Sequence, residues 1–272
     1  MTRVSLVSPR SLVSVLVSTL LALWLGAALQ SSSAPPQQPP TPPVALMLTL
    51  VDVKPDMMAD YVAFQKNETI PALQKAGIEW RDAWRAGFFG MTYTVAFITP
   101  LASFGRLDGP SPIEKALGAA GARAYEMKIA KMVNSMRRYA LRDRPDLGYR
   151  TEGGAMPKLG VLASVEVITG RQPEFEGMLK SDWAPALKKA GVPSYSVSQV
   201  MLGGAITEYY TFTPLESFAQ LDKGHPIQQS LGEAGMNELM AKMGAYIHHA
   251  ERIVIKYDDE LSFRTKTTSQ AR

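Results

Sequence analysis

The chain has 272 residues, 46% of them hydrophobic and 20% charged, with a formal net charge of +4. That length holds one large domain or two ordinary ones, and that balance supports a real core rather than a fibrous or disordered chain. No cysteine is present, which excludes disulfides, thiol-linked lipid anchoring and thiol catalysis.

In chain order, Arg3 and Arg10 precede an uncharged stretch over residues 11–29 that ends near Gly26, Ala27 and Ala28. A basic start, an apolar run and small residues predict a secretory signal over 1–28, hence export to the periplasm or the extracellular space. Left uncleaved, a run of this length would serve as a membrane anchor, the one membrane contact the chain suggests. Residues 29–43 are rich in Pro and Ser and read as an extended tether. Cleavage after residue 28 removes two positive charges and no negative ones, so the net charge falls from +4 to +2.

Beyond the tether the chain repeats itself. Shifted by 114 residues, positions 45–149 fall on 159–263 without a gap and share 27 identities in 105 positions. "PALQKAG" lies on "PALKKAG", "TPLASFGRLD" on "TPLESFAQLD", and Arg138 on Arg252. A period this long marks duplicated structural units, here residues 44–149 and 158–263 with a linker at 150–157 and a polar tail at 264–272.

Each copy opens with a β-rich run, "LMLTLVDVK" or "GVLASVEVI". A helix follows, with apolar residues at Met57, Tyr61 and Phe64, or at Phe175, Met178 and Leu179. Asp56 is the expected cap of the first helix, Pro173 suits the first turn of its counterpart, Pro71 and Pro185 interrupt each helix, and Gly77 and Gly191 close it. Two strand-like runs come next, split by Gly90 and by Gly203-Gly204. Thr99 and Thr213 then read as caps of a short helix, and Asp108 and Asp222 as caps of the segment after it. A long helix starts at Pro112 or Pro226, is interrupted by Gly121 or Gly235, and leads to a last strand. The order is β-α-β-β-α-β, the ferredoxin-like split βαβ unit. The fold class expected is α+β, with two such repeats packed as an intramolecular pseudo-dimeric barrel.

The PALxKAG helix ends, the aromatic third strands and the Pro-x-x-Ser-Phe-x-x-x-Asp segments resemble the dimeric α+β-barrel superfamily, nearest its NIPSNAP-like and antibiotic-biosynthesis-monooxygenase-like branches. The resemblance covers both repeats and implies a central cleft between them. It also implies the chemistry of relatives, some of which oxidise quinols or phenols without a cofactor while others bind haem. No residue pattern here fixes a haem or metal site, and no cofactor is expected.

Candidate site residues emerge from strand alternation and from differences between the copies. Asp52 and Glu166 lie on the faces opposite Val51/Val53 and Val165/Val167, and Arg138 and Arg252 sit on the strands that neighbour them. All four are expected to face the cleft, either as a polar site for a small ligand or as ion pairs that satisfy each other. Glu208 stands where the first copy has Thr94, and Trp80 and Trp84 stand where the second has Ser194 and Ser198. These asymmetries add Glu208 and Trp84 to the candidates. Adjacent His248 and His249 point to opposite faces and cannot jointly bind a metal. A basic run over 110–144 has no counterpart over 224–258, which argues against nucleic acid as a partner.

The reading that results is an exported NIPSNAP-like barrel that holds a small apolar or aromatic molecule without transforming it. Two alternatives stand beside it: a cofactor-free monooxygenase- or isomerase-like enzyme acting on a small aromatic substrate, and an assembly module, for which a homo-oligomer built through exposed sheet edges is the expected form. A lumen packed with side chains would sink both ligand readings together.

Overall fold

Whether an inward or an outward face is apolar decides how each strand can be covered. The computed structural model describes residues 45–86, 89–150 and 156–265; the signal, the tether and most of the polar tail lie outside the described residues. In the first half, β1 (Ala45–Val53) leads to a helix built of α1 (Met58–Phe64) and α2 (Ile70–Lys75). Then come β2 (Trp80–Ala86), β3 (Thr94–Leu101), α3 (Pro112–Met132) and β4 (Val133–Asp143). The second half runs β5 (Leu159–Val167), α4 (Gln172–Met178), α5 (Ala184–Lys189), β6 (Ser196–Leu202) and β7 (Glu208–Leu215). It ends with α6 (Ala219–Asp222), α7 (Pro226–Gly244), β8 (Ile247–Tyr257) and a short β9 (Phe263–Arg264).

The strands pair antiparallel in the order β3-β1-β4-β6-β7-β5-β8-β2, and β2 pairs back onto β3. Eight strands therefore close into a barrel, and β9 adds to the flank of β2. Closure leaves β1 to β8 without a free edge, which removes the edge-pairing basis for an assembly module. The pairing registers repeat with the sequence: Asp52 faces Thr94 as Glu166 faces Glu208, and Thr49 faces Arg138 as Ala163 faces Arg252. The seams obey the same offset, Trp84 facing Tyr257 and Ser198 facing Asp143. The two halves are thus related by a pseudo-two-fold along the barrel axis, because equivalent strands run in the same direction.

Both faces of the barrel wall are buried. Outward, Val51, Val53, Val95 and Phe97 pack under Tyr61, Phe64 and Met132 of the first half's helices. Val165, Val167, Val197 and Tyr209 do the same under Phe175, Leu179, Leu187 and Leu239. Inward, a third cluster packs within the lumen. Each half also receives a leucine from the segment that leaves the other's last strand. Leu147, just past β4, is 2% exposed in the second half's helix-side core, and Leu261, past β8, is 0% exposed in the first half's.

Several local expectations change. Thr99 and Thr213 lie within β3 and β7, because pairing with Met47 and Val161 extends the strands through the Thr-Pro-Leu phrase. The residue that caps α3 is Ser111, which accepts from the Glu114 amide at 3.1 Å, and His225 Nδ1 takes the equivalent role before α7. Asp108 and Asp222 follow or end short turns instead, and Asp56 lies inside a 3-10 turn whose cap is Lys54. The long helices break at Gly118 (φ 72°, ψ 170°) and Gly232 (φ 75°, ψ 176°), three residues before Gly121 and Gly235. Only glycine adopts that backbone readily. Pro71 and Pro185 do not end their helices; a π turn over Gln65–Thr69 or Leu179–Trp183 precedes each proline. Widening the turn there accommodates the missing N–H and the ring.

Candidate functional site

The lumen is narrow and mostly apolar. Trp84 is 5% exposed, its ring 5.1 Å from that of Phe212 and 5.0 Å from that of Tyr257. Leu48, Leu141, Val200 and Ile255 are buried around this aromatic core. Inward-facing Leu50, Leu162, Phe212 and Ile253 nevertheless keep part of their surface accessible to solvent. Two concavities of about 140 and 380 Å³ lie outside the lumen, one beside Arg144 and Tyr195, the other between α1 and α3.

Polarity gathers at one end, where β1 and β5 finish. Ser164 donates to Glu208 Oε1 at 3.0 Å, and Tyr210 stands between Glu208 and Tyr139. The Tyr139 and Tyr210 rings meet edge-on at 5.7 Å, and the Arg137 guanidinium lies 5.4 Å from the centre of the Tyr139 ring. Burial first, then the Tyr139 and Glu208 neighbours, push the Tyr210 phenol well above its ordinary value, so it stays a hydrogen-bond donor at neutral pH. Backbone geometry makes the approach possible. A Cβ on Gly204 would come within 2.6 Å of Glu208 Oε2 and 2.9 Å of Tyr139 Cε1. The equivalent Gly90 packs on Ile253, where a Cβ would meet Cγ2 at 2.5 Å.

The pseudo-two-fold does not repeat this polar set: Ser164, Glu208 and Tyr210 belong to the second half, and Tyr139 of β4 joins them from the first half across the β4–β6 seam. The positions equivalent to Ser164, Glu208, Tyr210 and Tyr139 are Leu50, Thr94, Ala96 and Ile253. One wall of the mouth therefore offers a carboxylate and two phenols, and the facing wall offers Thr94 with Asp52 across from it, beside the apolar carbon of Leu50, Ala96 and Ile253.

The residues expected from sequence are only partly brought together. Asp52 and Glu166 have the lumen-facing parity of Leu48 and Leu162, and Asp52 accepts from Asn134 Nδ2 at 3.2 Å. Glu166 pairs across from Glu208 and His249, and Trp84 lies in the inner cluster. Arg138 and Arg252 are corrected. Their partners Thr49 and Ala163 lie on the helix side, and both arginines are exposed there, against Tyr125 and His225 respectively. Among the described residues no ion pair joins Asp52 to Arg138 or Glu166 to Arg252. His225 is held below its ordinary pKa, by burial and then by Arg252. Among the described residues no group of three His, Asp or Glu could hold a metal ion, and no helix is long and apolar enough to cross a membrane. Sequence reading missed Ser164, Tyr139, Tyr210 and Arg137. The repeat alignment carries a signal for the first three, since each replaces an aliphatic residue of the other copy.

An eight-stranded antiparallel barrel made of two ferredoxin-like halves is the dimeric α+β-barrel architecture, here completed within one chain. Solved structures share it. An anthrone oxidase-like protein superposes with a TM-score of 0.60 at 10% identity, over 82% of this chain and 94% of its own. A protein from Fusobacterium nucleatum, assigned by inference as a monooxygenase, gives 0.52 at 10% identity, over 83% and 95%. A similarly assigned protein from Lactobacillus acidophilus gives 0.50 at 11%, over 82% and 99%. No family model and no curated protein matches the chain. At these identities the likeness establishes the fold.

Proposed function

We propose that the protein is an exported, cofactor-free oxygenase-like enzyme that takes a small planar aromatic substrate at the polar end of the lumen. The observation that carries this reading is the Ser164–Glu208–Tyr210 set of the second half, joined by Tyr139 of the first, with aliphatic Leu50, Ala96 and Ile253 at the equivalent positions opposite. Glu208 is the base. Its carboxylate takes a proton from an acidic C–H of the substrate, with Ser164 and Tyr210 orienting it. The carbanion left behind reduces dioxygen, the co-reactant, without a metal or flavin. For anthrone the balanced outcome is anthraquinone plus water. Tyr139 and Tyr210 supply flat apolar surface as well as hydroxyls.

The names of the fold neighbours support this choice of chemistry, and the PALxKAG helix ends support a place near the NIPSNAP-like branch. Incubating the protein with anthrone in air, with anthraquinone followed by absorbance and binding by tryptophan fluorescence, tests the reading. Turnover that falls at least tenfold in Glu208→Gln is expected; absence of both quenching and turnover in the wild type would sink it. A second reading, binding without turnover, draws on the tight Trp84–Phe212–Tyr257 packing, and quenching without anthraquinone would select it. Export is supported by the basic, then apolar, N-terminus; mass spectrometry of the protein from its native cells should find a chain starting near residue 29, and an intact 29.7 kDa chain would defeat cleavage.

A further inference from the structure

We infer that Thr94 is the second polar contact of the site, holding the substrate oxygen that lies across the molecule from Glu208. This rests on the reading of the polar end as the substrate site. Thr94 is 9% exposed, and its hydroxyl oxygen is buried with no hydrogen-bond partner among the described residues. Its side chain faces the lumen: it pairs across from Asp52, while the next residue, Val95, packs under the helices and Ala96 returns to the lumen cluster. A buried hydroxyl left unpaired costs the folded state, so its retention marks a place where something else completes the bond. The pseudo-two-fold puts Thr94 at the height of Glu208 on the opposite wall, since Asp52–Thr94 and Glu166–Glu208 are equivalent pairs. Between them lie Leu50, Ala96 and Ile253, which present carbon to a flat ring system.

Thr94 and Glu208 on opposite walls, each with a carboxylate paired across from it (Asp52 and Glu166) and with apolar carbon between the walls, fit a planar molecule with an acidic C–H at one edge and a carbonyl at the other. When Glu208 takes the proton, the C–H electron pair enters the ring system and the negative charge arrives on the carbonyl oxygen. The Thr94 hydroxyl donates to that oxygen, where charge develops rather than where it starts. The proton rests on Glu208, and no oxidant is needed for this half of the reaction.

Anaerobic exchange isolates the step. Under argon in D₂O, deuterium entry at the CH₂ carbon of anthrone, opposite its carbonyl, is followed by NMR for wild type, Thr94→Val, Thr94→Ser and Glu208→Gln. Thr94→Val should slow the protein-catalysed exchange about a hundredfold and weaken anthrone binding, while leaving binding of anthracene, which lacks the oxygen, unchanged. Thr94→Ser should restore exchange, and the Tm of ligand-free Thr94→Val should hold or rise. Wild-type exchange and anthrone affinity in Thr94→Val, or a fall in its ligand-free Tm, overturns the role of Thr94 and leaves Glu208 standing. A wild type that neither binds nor exchanges anthrone overturns the site reading, and this inference with it.

Discussion

Arg81 is 3% exposed, yet it carries a guanidinium. Its Nε and Nη2 donate to the Leu261 carbonyl at 3.0 and 2.8 Å, its Nη1 donates to Gln65 at 2.9 Å, and it lies 4.4 Å from the centre of the Phe97 ring. Burial lowers its pKa to about 10. The charge costs stability at neutral pH, and that cost is relieved as pH rises above about 10. Buried tyrosines act in the opposite sense. Tyr61, Tyr195, Tyr209 and Tyr210 are all raised from 10.0, first of all by burial. Their folded pKa values exceed the unfolded one, so their contribution is full below pH 10 and is lost as pH rises through the folded values. Four tyrosines outweigh one arginine. Tm should stay level with respect to these groups from pH 7 to 9 and fall above pH 10, with phenolate absorbance near 295 nm appearing together with unfolding; early phenolate titration in the folded protein would contradict this.

Among the elements, the segments that leave β4 and β8 matter most. Residues past β8 bind the first half through Asp258 on Arg85, Arg264 on Asp82, the Ser262 hydroxyl accepting from the Ala83 amide, and the buried Leu261. The segment past β4 answers with Leu147, the Tyr149–Tyr195 bridge and Arg144, which reaches Glu176 at 2.5 and 2.8 Å. That contact and the Tyr209 hydroxyl help hold the Glu176 carboxyl below its usual range, against burial. Leu147→Ala and Leu261→Ala should each cost about 2–5 kcal/mol, the range for emptying a well-packed leucine site, read as a shift in the denaturation midpoint. The element order and the helix-side faces were legible in the sequence because apolar periodicity and turn glycines report them directly. The faces of Arg138 and Arg252 were not. An extra residue, Asn134 or His248, bulges each last strand opposite the end of β1 or β5, and a slip of one residue exchanges inside for outside.

At the scale of the whole molecule, each half completes its helix-side core with a residue of the other and shares the lumen with it. Both leucine substitutions should therefore lower one common transition, with calorimetric and van't Hoff enthalpies in agreement; two separate transitions would mean the halves fold independently. By itself the sequence determined that there are two equivalent units and which elements each contains, and it pointed to the positions where the copies differ, since repetition and periodicity are local properties of the chain. Glu208 and Thr94 were visible as such a difference. Only the tertiary structure decided that they face each other across a closed barrel, with Tyr139 and Tyr210 beside one and Asp52 and aliphatic carbon beside the other. Strand register and barrel closure, set by contacts between residues far apart in the chain, bring those side chains to one mouth.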